Sequence, residues 1–125
     1  MIMVKSIFDE ASAGDGFRVL IEPVWPRKAH REKTPMNVWL RSLAPSPALE
    51  ARFSGNLISW EEFVAGYHHE LEGNRDFIRD LQEHNRNGGL TLLHGATDVD
   101  RNTAVALKMF LENETPVIGR SRVMV

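Results

Sequence analysis

The sequence predicts an α/β fold: one small domain with a mostly parallel sheet of few strands covered by helices. Three features carry that expectation. Short apolar runs with β-branched residues stand near the start, at Ile2 to Phe8 and Arg18 to Val24. A middle stretch holds helix caps and apolar residues at helical spacing. The run LTLLHGATDVDRNTAVALKMFLE, Leu90 to Glu112, then reads as a buried strand, a polar loop and a helix in immediate succession. Strands that alternate with helices build parallel sheets, whose central strands are buried on both faces. The 125 residues form one ordinary domain, able to bury roughly two thirds of its unfolded surface without metals or disulfides. We place that domain at residues 1–112 and treat 113–125 as a C-terminal extension, an edge strand or a subunit contact. The pattern does not give the strand order.

Taken in order, Ile2 to Phe8 predicts a first strand, and ASAGDG after it is turn chemistry. A second strand begins at Arg18 and stops by Glu22, because Pro23 has no amide to donate to a ladder. WPRKAHREKTP, Trp25 to Pro35, is basic and without periodicity, and is read as a long surface loop. Val38, Trp39, Leu40 and Leu43 suit one or two helical turns. Ser46 before Pro47 is an N-cap with a first-turn proline, opening a short helix closed by Gly55. Ser59 and Glu62 form a capping box ahead of Trp60, Phe63, Val64, Tyr67 and Leu71 on one helical face. Asn74 is positioned to cap another helix that turns Phe77, Ile78 and Leu81 inward and stops at Gly88-Gly89. Ala104, Leu107, Phe110 and Leu111 give the last helix its apolar face.

Composition removes several activities. With no cysteine, thiol nucleophiles, disulfides, iron–sulfur clusters and thiolate zinc sites are excluded. The apolar start of MIMVKSIFDE is broken by charge too early for a signal peptide, and no stretch approaches the ~18 apolar residues of a membrane span. A cytoplasmic protein without membrane contact is the expectation. A net charge of −2 supplies no general attraction to nucleic acid, which argues against that partner despite the basic loop Arg27, Lys28, His30, Arg31 and Lys33. No glycine-rich phosphate loop is present, no serine sits in a nucleophile elbow, and no cofactor is expected. His68 and Glu72 are four apart on a helix, but two ligands do not make a metal site; they fall on the flank of the apolar stripe, where a solvated pair is the common outcome.

In open parallel sheets ligands gather at the C-terminal ends of the strands. That rule directs attention to the loop after Leu93. Asp98 is the candidate general base and His94 its catalytic partner, while Trp25, Arg27, Arg101 and Asn102 would bind a small anionic ligand. Trp25 to Arg27 join the group because two parallel strands end on the same side. Each residue also has a plainer reading: Asp98 or Asp100 as a helix cap, Asn102 as a helix-start hydrogen bond, Trp25 as a core or rim aromatic, Arg27 as an ion pair with Asp98 or with a nearby glutamate.

The segments RVLIEPVWPRK (18–28), WLRSLAPS (39–46), WEEFVAGYHHEL (60–71) and TLLHGATDVDRNTAVALKMFLE (91–112) together resemble the YeaO-like family of domains of unknown function (DUF488). The resemblance implies a small bacterial-type α/β cytoplasmic domain whose activity is not established for the family as a whole. The chain departs from the family pattern at several polar positions. Glu22-Pro23-Val24 precedes Trp25 where an Asp-Arg pair is usual, and Lys28 replaces a glycine. Gly55 and Asn56 stand for a histidine and an aspartate, and Thr97 and Arg101 for a lysine and a histidine, while Asp98 and Asn102 match. Two functions stay open: a small-molecule pocket at the strand ends, with or without catalysis, and a non-catalytic or divergent interaction protein that self-associates or binds a partner.

Overall fold

The computed structural model describes residues 2–30 and 33–113. Arg31 of the basic loop and the 117–125 segment read as an edge strand or subunit contact lie outside the described residues. Among these residues a four-stranded sheet is formed by β1 (Ile2–Ser6), β2 (Phe17–Leu20), β3 (Val38–Trp39) and β4 (Leu90–His94) in the order β1-β4-β2-β3. Every neighbouring pair is parallel. Ile2 and Phe17 both register with Leu90, and Val19 registers with Val38. The fold class read from the sequence is therefore the one observed.

β4 is an interior strand and all five of its residues are buried, Thr91 and His94 included, in keeping with a mostly apolar strand covered on both faces. Alternation along it sends Leu90 and Leu92 to one side and Leu93 to the other. Four helices cover the first side: α1 (Pro47–Ser54), α2 (Trp60–Leu71), α3 (Arg75–Arg86) and α4 (Thr103–Leu111). They bring Leu49, Phe63, Val64, Tyr67, Leu71, Ile78, Leu81 and Leu107 onto Val19, Leu90 and Leu92. Each such aliphatic or aromatic burial contributes roughly 1.5–3 kcal/mol. The other side has no α-helix among the described residues. Trp25, Ala29, Met36 and Trp39 close it over Ile7, Leu20 and Leu93, with the two indoles meeting edge to face at 5.4 Å. The long basic loop thus has an apolar underside, while Arg27, Lys28, His30 and Lys33 face outward.

The same side carries a buried polar network. Asp15, 1% exposed, takes hydrogen bonds from the Ser12 backbone amide (3.1 Å) and hydroxyl (2.9 Å) and from Lys5 Nζ (3.1 Å), and it pairs with the Arg18 guanidinium. Arg18 also donates from Nε to the Pro35 carbonyl at 2.7 Å, and the Thr91 hydroxyl donates to the Asp15 carbonyl at 2.6 Å. Burial alone would raise the proton affinity of Asp15. Its four donors outweigh that and hold the carboxyl far below the usual carboxylate range.

Local cap chemistry appears where the sequence places it. The Ser46 hydroxyl accepts from the Leu49 amide, and the Ser59 and Glu62 capping box is complete. Ser46 is held in turn by Glu70 of α2, whose carboxylate accepts from its amide (2.8 Å) and its hydroxyl (2.6 Å). Three details differ from expectation. Val38 and Trp39 are a two-residue strand and not a helical turn, because the Asn37 and Leu40 amides find acceptors on Arg18 and Leu20 of β2; Arg41–Leu43 then make a single tight 3-10 turn. The Asn74 side chain does not cap α3, since a 3-10 turn at Glu72–Asn74 runs straight into it from α2, and Phe77 is left 38% exposed. His68 is not a solvated flank residue. It is buried against Phe110, with Nε2 2.7 Å from the Ala106 carbonyl oxygen.

Lys28 has φ 71°, a left-handed conformation that costs a side-chain-bearing residue about 1–2 kcal/mol. A glycine at this position would carry no such cost. Lys28→Gly should raise folding stability by roughly 0.5–1 kcal/mol, the relief being partly offset by the freer unfolded chain; urea unfolding of the two proteins measures the difference.

Candidate functional site

β2 and β4 run parallel and end side by side, and the chain leaves both on the same edge of the sheet. After β2, Glu22 turns its carboxylate to the β4 exit, where Oε2 accepts from the Gly95 amide at 3.0 Å. Pro26 lies directly over Gly95: a methyl group added to that glycine would come within 2.8 Å of the proline ring. The Trp25 to Arg27 segment is therefore seated on the start of the 95–102 loop. Beyond it opens a cleft of 540 Å³ whose polar lining includes Glu22, Arg27, Glu50, Arg101, Asn102 and Thr103, with Trp25, Phe53 and Phe63 as apolar wall.

Of the six residues nominated from sequence, Trp25, Arg27, Arg101 and Asn102 line this cleft. Asn102 does so while capping α4: its Oδ1 accepts from the Val105 amide at 3.0 Å and its Nδ2 donates to the Asp98 carbonyl at 2.9 Å. Trp25 donates from Nε1 to the Ala29 carbonyl at 2.8 Å, which fixes its ring at the wall. Asp98 and His94 are not in the lining. Asp98 is exposed, and its Oδ1 accepts from the Asp100 (2.9 Å) and Arg101 (3.1 Å) amides, bending the loop into the helix. Those two amides keep its carboxyl below the usual range. Its ion-pair partner is Arg101, at 3.8 Å, and not Arg27. His94 is 2% exposed and accepts at Nδ1 from the Ala96 amide at 3.1 Å. Burial lowers its proton affinity, and the charge of Asp9 offsets this only in part.

Glu22 and Glu50 also line the cleft and are not among the residues nominated from the sequence. Burial raises the proton affinity of both, and the charge of Glu22 adds to the rise at Glu50, against a hydrogen bond that Thr103 makes to it. Glu22 had a visible signal, a carboxylate at a predicted strand end. Glu50 had none, because α1 brings it in from a remote stretch of chain. Among the described residues no group of three His, Asp or Glu side chains is placed to hold a metal ion, and no helix is long and apolar enough to cross a membrane.

A parallel α/β domain with a polar cleft at the carboxyl ends of its strands is the class that this geometry defines. The chain belongs to the family described as the inactive DUF488-N3 subclade, whose model matches residues 1–119. It is similar to the uncharacterized protein YeaO of Escherichia coli (strain K12), with 29% identity over 112 residues covering 90% of this chain and 97% of that protein. The uncharacterized proteins Rv3073c of Mycobacterium tuberculosis (strain ATCC 25618 / H37Rv) and Mb3100c of Mycobacterium bovis (strain ATCC BAA-935 / AF2122/97) are each 23% identical over 110 residues, 88% of this chain and 92% of theirs. No solved structure matches the chain. The YeaO-like, DUF488 resemblance read from the motifs is thereby borne out.

Proposed function

We propose that this protein binds a small polar molecule in the cleft between Arg27, Glu22, Glu50 and Arg101, in the cytoplasm, without turning it over. The cleft itself carries the reading: it is concave, lies where parallel sheets collect ligands, and combines a few convergent polar groups with aromatic walls. Arg27 and Arg101 offer guanidinium donors to an acid group on the ligand. Absence of turnover is supported by the use already made of the nominated catalytic groups, since Asp98 and His94 accept hydrogen bonds from backbone amides of their own loop. The description of the subclade as inactive agrees with it. In this reading residues 1–112 are the binding domain and 113–125 an extension of it.

The test is an amide-resolved NMR titration with a fragment set of small carboxylates, amines and zwitterions. Binding in the cleft should move the Gly95, Ala96 and Thr103 amides together, and Arg27→Ala should weaken binding of the acidic fragments by about tenfold, the usual worth of one charge-assisted contact. A set in which no fragment moves those amides would sink the proposal.

A further inference from the structure

The cleft has a second arm. A neighbouring concavity of 650 Å³ shares Glu22, Glu50 and Ser54 with it and continues between Pro23, Pro45 and Pro47 to Arg41. The two carboxylates therefore stand at the junction of the arms, and arginines stand further out: Arg27 and Arg101 on one side, Arg41 on the other. The Arg41 guanidinium is steadied 5.0 Å from the Trp39 ring. Among the described residues no lysine or arginine forms an ion pair with Glu22 or Glu50, and neither Arg27 nor Arg41 pairs with a carboxylate.

Charge order along the groove is thus positive, negative, positive. A polyamine would meet like charge at both ends, and a plain dicarboxylate would lay its apolar middle on two half-buried carboxylates with no counter-ion. The complement is a molecule whose charges run negative, positive, negative. We infer that the ligand is a zwitterion with a cationic nitrogen flanked by two acid groups, its nitrogen between Glu22 and Glu50, one acid group at Arg27 and Arg101 and the other at Arg41. The inference rests on the binding reading above and adds the class of ligand. An ammonium there would donate hydrogen bonds to both carboxylates and relieve their mutual repulsion.

Calorimetry with three kinds of probe decides it. Iminodiacetate and 3,3′-iminodipropionate carry the nitrogen between two acids at two lengths; glutarate and pimelate are their isosteres without nitrogen; dipropylamine has the nitrogen without acids. At least one imino diacid should bind about tenfold or more tightly than both its isostere and the amine, and Glu50→Gln and Arg41→Ala should each remove about tenfold, the scale of one lost charge-assisted contact. Unchanged amide spectra elsewhere in the two variants establish that they fold. Equal binding of imino diacid and isostere, or no effect of Arg41→Ala, overturns the inference. If neither imino diacid binds while other fragments still move Gly95 and Thr103, the ligand class falls and the binding reading stands. If no fragment moves those amides, both fall.

Discussion

Asp15→Asn should destabilise the fold by about 3 kcal/mol at neutral pH, the lower end of what breaking a buried ion pair costs. For a domain of this size that lowers the melting temperature by roughly 10 °C. The cause is specific. Asparagine keeps the shape but removes the charge that faces Lys5 and Arg18, and Arg18 is itself only 6% exposed, so a guanidinium is left buried without its carboxylate. The pH dependence has a definite sign. Because the folded state depresses the proton affinity of Asp15, its contribution is complete above the ordinary aspartate value of 3.8 and is lost as pH falls below it. Wild type and variant should therefore converge in stability on acidification below about pH 4. Urea titrations of both proteins at neutral pH and at successively lower pH would show it; a constant difference across that range would mean that the charge of Asp15 is not what stabilises the network.

Gly16→Ala should be as damaging or worse, at about 3–5 kcal/mol, the range reserved for changes the backbone cannot absorb. Gly16 has φ 67°, and an added Cβ would lie 2.4 Å from the Gly89 carbonyl oxygen and 2.7 Å from that of Gly88. All the obstructing atoms are backbone. Relief would require parting the segments that lead into β2 and β4, and with it loss of the bond from the Phe17 amide to the Gly89 carbonyl, 3.0 Å long. Gly14→Ala is the matched control, since nothing lies within 4 Å of the position its methyl would take. Thermal unfolding of the pair should separate them widely; similar melting temperatures would refute the steric argument.

How legible the fold was in the sequence follows the range of the interactions involved. Ser46-Pro47 and Ser59 with Glu62 were read correctly because a cap is satisfied within three residues of itself. The apolar run Leu90 to Leu93, with glycines before it and a helix after it, reads as a buried strand, but its central place in the sheet depends on pairing with β1 and β2 and is not visible in it. Val38-Trp39 was misread because two residues are a strand only through what they pair with, and their partner, β2, lies 19 residues back. His68 was placed on a solvated flank because its burial depends on Phe110 and Ala106 of α4, which no helical wheel of α2 contains. The site divides in the same way. Its strand-end loop and the Trp25 to Arg27 segment were legible from the rule for parallel sheets, whereas Glu50 reaches the cleft only through the packing of α1 on α2, where Leu49 lies against Gly66. Asp98 and Asn102 stood out as polar residues matching a family pattern, and their hydrogen bonds show how a loop and a helix start can require those residue types for shape.

The sheet is covered by helices on one side and by Trp25, Ala29, Met36 and Trp39 on the other, and Trp25 is also a wall of the cleft. Trp39, at the end of β3, donates from its indole to the Glu22 carbonyl at 2.6 Å. β3 is two residues long and stands at the edge of the sheet, and the Trp39 side of it is closed by side chains that belong to no strand or helix. Such regions open locally before the whole molecule does. Amide hydrogen exchange should therefore be faster at Val38 to Leu40 than at Leu92 and Leu93, and a molecule seated against Trp25 and Arg27 should slow it without touching those amides; equal protection across the sheet would contradict this. Occupancy of the cleft would then register as tighter closure of the cover over Ile7, Leu20 and Leu93.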